Sequence, residues 1–303
     1  MQSTRLIFEK KSKFDTAFEG KAVENLYFCS QINRNLQLET DKNFITILGT
    51  GNALATRCYN TCFTLHSSGG TVLMVDAGGG NGVLTQLERA GMRCEDIHDL
   101  FVTHAHTDHL LGCVWMMRMA LQFHHSLHVW SHQKVIRLLA DICMEILPSK
   151  EAEGIGDFVV MHVLEDGDRF EVGDLRLQCF DIHSTKERQF GFAALLPDGQ
   201  RVCCLGDEPY NPLCEQYAEG ADWLMSEAFC LYGDREQFQP YEKHHSTVLD
   251  SARLAETLHV RNLILYHTED RTLKTRKERY TAEAKAAFGG QVWVPEDLER
   301  IML

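Results

Sequence analysis

Seven consecutive residues, Thr103-His104-Ala105-His106-Thr107-Asp108-His109, concentrate three imidazoles and a carboxylate. Imidazole nitrogen and carboxylate oxygen together suit zinc, iron or manganese rather than a structural thiolate site. The short apolar segment Asp99-Leu100-Phe101-Val102 precedes the run and reads as a buried strand, while Leu110-Leu111-Gly112 and a helix-like apolar stretch follow it. The cluster therefore falls on a strand-to-helix connection. Alternation in an extended segment would aim His104 and His106 the same way, and the turn would carry Asp108 and His109 to a second position nearby.

Four further polar residues stand at or just beyond the ends of apolar, strand-like segments: Asp76, leading into Gly78-Gly79-Gly80, then His183, Asp207 and His267. Strand ends suit functional groups because the sheet fixes the backbone while the side chain leaves the core. Each residue alone has an ordinary explanation as a turn aspartate, a helix cap or a core histidine. With the first cluster they supply the bridging carboxylate and the imidazoles that two ions about 3.5–4 Å apart require.

The elements that must position these residues alternate. Strands are predicted at Phe44–Leu48, Cys62–Leu65, Thr71–Val75, Asp99–Val102, Leu127–Trp130, Phe158–Val163, Leu175–Phe180, Gly191–Leu196, Val202–Leu205, Trp223–Ser226 and Leu263–Tyr266. Helices are predicted at Gly82–Ala90, Leu110–Phe123, Gln133–Leu147, Pro212–Glu219, Ser246–Leu258 and Leu273–Phe288. Pro197-Asp198-Gly199 marks a hairpin turn. The result is a layered α/β pattern. It starts near residue 44, so residues 1–43 are read as an N-terminal extension packed on a main domain of residues 44–303.

The net charge of −13 removes the positive field that broad nucleic-acid binding needs, although Lys10, Lys11 and Lys13 form a local basic cluster. Eleven scattered cysteines without a CxxC pair, and no recognisable secretory leader, predict free thiols in a reducing cytoplasm. Cys203 and Cys204, adjacent in a strand, should face opposite ways. No apolar run approaches the ~18 residues of a membrane span. Glu24–Phe28 looks like part of a protease tag site, but Cys29 replaces the expected glutamine, so it is taken as native sequence. His124, His125, His128 and His132 span two elements without a matching carboxylate and read as packing. Met116, Met117 and Met119 read as core. Gly49-Thr50-Gly51 could cradle a phosphate or simply make a tight turn.

From about Phe44 to the C-terminus, these residues resemble the metallo-β-lactamase superfamily. His104, His106, Asp108 and His109 match its HxHxDH motif. Asp76 matches the aspartate that supports the site from behind the ligands, and His183, Asp207 and His267 match the third, fourth and fifth motifs in order. The resemblance implies an αββα sandwich of two mixed β-sheets flanked by helices. It also implies His104, His106 and His183 on one metal, Asp108, His109 and His267 on the other, and Asp207 bridging. The cofactors would be two divalent ions, zinc by first expectation and manganese or iron otherwise.

Asp207 argues against true β-lactamases, and Ala105 stands where flavo-diiron proteins carry glutamate. Ser226-Glu227-Ala228-Phe229, His245-Ser246-Thr247, Ile47–Gly51 and Val294–Leu298 are similar to the RNase Z-type phosphodiesterases. That likeness implies a hydrolase in which a metal-bridging hydroxide attacks a phosphodiester and Asp108 takes its proton. His245, oriented by Glu227, would protonate the leaving oxygen. His244 is the competing neighbour, and Ser246 or Thr247 could cap the helix that follows. Only twenty-three residues separate His183 from Asp207, which leaves no room for the tRNA-gripping arm of long-armed RNase Z enzymes. The expected substrate is therefore a small-molecule or nucleotide phosphodiester. A tRNA 3′-endoribonuclease, a lactone or carboxylic-ester hydrolase and a degenerate, non-enzymatic binding domain remain as alternatives. RNA is disfavoured as a partner, no membrane is expected, and the resemblance suggests a homodimer.

Overall fold

The computed structural model describes residues 42–303. Apart from Lys42 and Asn43, the N-terminal extension, with its basic cluster and its expected packing, lies outside the described residues. Two seven-stranded sheets form the body. The first runs in the order β14-β1-β2-β3-β4-β5-β6, from β1 (Phe44–Gly49), β2 (Cys62–His66), β3 (Val72–Val75), β4 (Asp99–Phe101), β5 (Leu127–His132), β6 (Val159–Leu164) and β14 (Arg300–Met302). The second runs β13-β12-β11-β10-β9-β8-β7, from β7 (Arg169–Val172), β8 (Leu175–Asp181), β9 (Phe190–Leu195), β10 (Arg201–Cys204), β11 (Trp223–Glu227), β12 (Asn262–Tyr266) and β13 (Gln291–Trp293).

Strand alternation divides the apolar side chains into three layers. Ile45, Phe63, Leu73 and Phe101 of the first sheet meet Leu177, Phe192, Val202 and Ile264 of the second in a central core. On the other face of the first sheet, Met74, Leu100 and Val129 pack against helices α1 (Gly82–Arg89), α2 (Thr107–Phe123) and α3 (Gln133–Ile146). On the outer face of the second sheet, Leu224, Leu263 and Leu265 pack against α4 (Val248–Thr257) and α5 (Leu273–Lys285). This is the αββα arrangement. Cys203 falls in the outer layer and Cys204 in the central one, so the two thiols do face apart.

Several expectations are corrected. Helix α2 begins at Thr107 rather than Leu110, which puts Asp108 and His109 in its first turn. The stretch from Pro212 to Glu219 is a 3₁₀ turn followed by one short helical turn, Glu215–Ala218. Helix α4 begins at Val248, capped by Thr247: its hydroxyl accepts from the Asp250 N–H and Asp250 Oδ2 accepts from the Thr247 N–H at 3.0 Å. Strands β7, β13 and β14 were not anticipated. Two are three residues long and β7 is a half-wet edge strand, so their side chains carry too little apolar pattern to show. The Gly49–Gly51 loop is a turn rather than a phosphate cradle. Its Thr50 and Gly51 N–H groups donate to Asp297 Oδ1 and the Tyr59 carbonyl.

Strands β3 and β4 run parallel in the first sheet, as do β10, β11 and β12 in the second. Two antiparallel pairings return β8 to the same direction as β10. All the strands that precede the candidate ligands therefore end on one rim, the usual place for function in such sheets.

Candidate metal centre

At that rim the chain turns through left-handed backbone. Asp76, His183 and His267 have φ of 54°, 58° and 56°, and Gly206, just before Asp207, has φ of 78°. Such conformations are uncommon for residues with a Cβ, though Asp and His tolerate them better than most, and they cluster where a site over-determines the backbone. The sharp turn sends each side chain across the end of the sheets instead of along them.

The first half of the site is assembled around Asp76. Its Oδ1 accepts the Thr103 N–H and its Oδ2 the Thr103 hydroxyl, both at 2.8 Å, and Oδ2 also lies 2.7 Å from His109 Nδ1. That contact orients the other ring nitrogen, His109 Nε2, towards the centre, as supporting carboxylates do for metal-binding imidazoles. Helix α2 sits directly on the Asp76–Gly78 turn. The Gly112 N–H donates to the Gly78 carbonyl, and a Cβ at Gly112 would overlap the Ala77 carbonyl oxygen.

The second half arrives from separate strands. Asp207 Oδ2 lies 3.6 Å from His104 Nε2, 3.5 Å from His109 Nε2 and 3.4 Å from His267 Nε2. Asp108 Oδ2 lies 3.4 Å from both His109 Nε2 and His267 Nε2. His104 Nε2 and His106 Nδ1 face each other at 2.8 Å. His104, Asp108, His109, Asp207 and His267 are all buried.

Two compact ligand groups emerge among the described residues, His104–His109–Asp207 and Asp108–His109–His267. The second has the membership that the sequence resemblance implies. The first departs from it: His109 takes part in both groups, and neither His106 nor His183 belongs. His183 is exposed, two residues beyond the end of β8, and stands outside both groups.

The residues present fit divalent cations. Buried His109 Nε2 and Asp207 Oδ1 have no hydrogen-bond partner, a costly state for polar atoms. Charge points the same way. Burial opposes ionisation of Asp108 and Asp207, yet the surrounding imidazoles hold both carboxyls below the usual carboxylate range. Burial likewise opposes protonation of His109, but Asp76 and Asp108 outweigh it and favour a cation there. His104, where burial dominates, is pushed towards the neutral form that binds metal.

Beside this cluster stands a second pair. Glu227, at the end of β11, is buried and accepts the Ser246 N–H through Oε1. Its Oε2 lies 3.6 Å from His245 Nδ1, an ion-pair distance too long for a hydrogen bond. Burial lowers the tendency of His245 to protonate, but Glu227, and then Asp207, more than offset it and raise the pKa. His245 stacks on Phe229 at 5.0 Å and lies 5.0 Å from the His267 ring. His244 points elsewhere, with Nδ1 2.9 Å from the Thr185 hydroxyl. A cavity of about 430 Å³ opens over His106, Asp108, Asp207, His245 and His267, with walls from Asn52–Leu54, Lys186 and Lys243.

The other histidines do not gather. His124 ends α2 in left-handed backbone, His128 pairs with His162 at 2.8 Å, and buried His132 packs against Phe190. Sequence reasoning gave no role to Thr103, Glu208 or Lys186. Adjacency was the available signal, since Thr103 precedes His104 and Glu208 follows Asp207.

This fold and site define a metallo-β-lactamase superfamily hydrolase of RNase Z-like type. The chain belongs to the family described as Anti-Pycsar protein Apyc1, which matches residues 44–288. It is also similar to Ribonuclease Z of Streptomyces avermitilis, 27% identical over 85% of this chain and 96% of that protein. Ribonuclease Z of Thermobifida fusca is 25% identical over 85% of this chain and 93% of the relative. Among solved structures, the metallo-beta-lactamase fold protein YhfI from Bacillus subtilis superposes with a TM-score of 0.70 at 18% identity, covering 87% of this chain and 100% of that one. Human tRNase Z, short form, superposes with a TM-score of 0.65 at 20% identity, covering 85% and 98%.

Proposed function

We propose that the protein is a dinuclear metal-dependent phosphodiesterase acting on a small-molecule or nucleotide phosphodiester. The observation that carries this reading is His245, paired with buried Glu227 and lining the cavity that also exposes Asp108, Asp207 and His267. His104, His106, Asp108, His109, Asp207 and His267 would hold the ions. His183 is proposed as the seventh ligand because it shares the left-handed strand-end backbone of Asp76 and His267. Two divalent cations, zinc by the donor set, would supply positive charge against phosphoryl oxygens and lower the pKa of water.

The chain's own residues would divide the proton transfers. Asp108, kept ionised by its imidazole neighbours, is placed to accept a proton from an attacking water. His245, its protonated form favoured by Glu227, is placed to donate one to the leaving oxygen. The stretch from His183 to Asp207 is taken up by a loop and the β9–β10 hairpin, which supports a compact substrate over a gripped tRNA. The cysteines of the described residues are free thiols, in keeping with a reducing cytoplasm.

The test is turnover of bis-p-nitrophenyl phosphate, a lactone and a pre-tRNA by zinc- or manganese-loaded protein. His245→Ala should cut phosphodiester turnover by about 10²–10⁴-fold with metal content unchanged. Metal loss in that variant would place His245 among the ligands instead. Brisk lactone opening without phosphodiester cleavage would overturn the reading.

A further inference from the structure

The cavity wall holds a cation that the mechanism above does not use. Lys186 lies on the loop between β8 and β9, its side chain 27% exposed into the cavity mouth. Its ammonium donates to the Lys243 carbonyl at 2.9 Å, two residues before His245, and stands 3.6 Å from Glu208 Oε1, next to Asp207. Glu208 is itself buried and anchored by the Ser184 hydroxyl at 2.7 Å. Lys186 is thus tethered from both sides of the site, to the segment carrying His245 and to the segment carrying Asp207. An ammonium has three donors, and these contacts leave at least one uncommitted in a residue that lines the cavity. Lys243 is differently committed: its ammonium donates to the Phe238 carbonyl at 2.7 Å and lies over the Phe229 ring at 4.9 Å.

The placement suits one class of substrate. A phosphodiester carries a negative charge in its ground state, which an ammonium at the cavity mouth can hold, whereas a neutral lactone or carboxylic ester binds without one.

We propose that Lys186 is the residue by which this site selects phosphodiesters over neutral esters, its ammonium donating to a non-bridging phosphoryl oxygen beside His245. The inference rests on the phosphodiesterase reading and deepens it by naming an anionic substrate class. A charge-assisted hydrogen bond of this kind changes binding about tenfold or more.

The experiment compares wild type, Lys186→Met and Lys186→Arg as metal-loaded full-length protein, with bis-p-nitrophenyl phosphate and p-nitrophenyl acetate as substrates. Inorganic phosphate affinity is measured by calorimetry and metal content alongside. Lys186→Met should raise KM for the phosphodiester and Kd for phosphate at least about tenfold. It should leave the KM for the neutral ester within about twofold and metal content unchanged, and Lys186→Arg should recover most of the loss. Unchanged phosphodiester KM and phosphate Kd would overturn the assignment, as would parallel losses on both substrates. If the wild type cleaves no phosphodiester, the functional reading fails on its own, and the phosphate Kd of the variants still decides whether Lys186 binds the anion.

Discussion

The two halves of the site are built on opposite plans. On the first sheet, Asp76, Thr103 and the His104–His109 run form one tight unit, locked beneath helix α2 by backbone contacts such as Gly112 N–H to the Gly78 carbonyl. On the second sheet, Asp207, Glu227, His245 and His267 come from separate segments, and their common ground is the rim where parallel strands end. The first half is held by the parallel pairing of β3 with β4, which brings Asp76 against Thr103 and His109, and by the packing of α2 on the Asp76–Gly78 turn. The second half owes its geometry to strand register, because Asp207 and His267 are sixty residues apart in the chain. One centre therefore combines a unit gathered under a single helix with one drawn from separate segments.

The largest blow to the assembled half should be Asp207→Ala. Its Oδ2 lies within 3.6 Å of three imidazole nitrogens from both sheets, so its loss removes the one carboxylate of the His104–His109–Asp207 group. Turnover should drop by at least about 10³-fold and bound metal should fall below two ions per chain, as read by elemental analysis. Two retained ions would show that the bridge is dispensable and the halves independent.

Gly112→Ala tests the helix-packed half. The added methyl meets the Ala77 carbonyl, so α2 must move off the Asp76 turn. Overpacking of this kind costs about 1–3 kcal/mol, measurable by denaturant unfolding. Metal affinity should weaken with it, because α2 carries Asp108 and His109. An unchanged unfolding midpoint would mean that the contact is not tight.

The smallest effect sharpens the comparison within the second half. Glu227→Gln removes the charge that favours protonated His245 and leaves the burial that opposes it. The pKa of His245 should fall, so the alkaline limb of kcat/KM should move to lower pH. The sign for stability is consistent. A raised folded-state pKa contributes stability that is complete below the ordinary histidine value and is lost as pH rises through the folded value, and the variant should lose that contribution. A limb that stays in place would assign the titration to another group.

Much of this was legible beforehand because the chemistry-bearing residues announce themselves by type and position. Three imidazoles and a carboxylate in seven residues, and polar residues closing apolar strands, need no tertiary structure to be noticed. The strands and the longer helices were equally readable, since burial on both faces of a sheet leaves long apolar runs. Edge strands such as β7 were not, because half-exposed segments lack that pattern. Nor were the tethers: Lys186, Glu208 and Thr103 are ordinary polar residues until a neighbour distant in sequence gives them a role.

The amino-acid sequence by itself determined the ligand types, their order along the chain and the layered fold that brings strand ends to one rim. Only the tertiary structure decided the rest. It placed His109 in both ligand groups and Asp207 among three imidazoles. It turned His245 rather than His244 into the cavity, left His183 exposed, and set Lys186 at the mouth. Those outcomes depend on distances between residues joined by strand pairing and helix packing. Spacing along a chain cannot encode them, because the left-handed turns at Asp76, His183 and His267 reverse the direction in which each side chain leaves its strand.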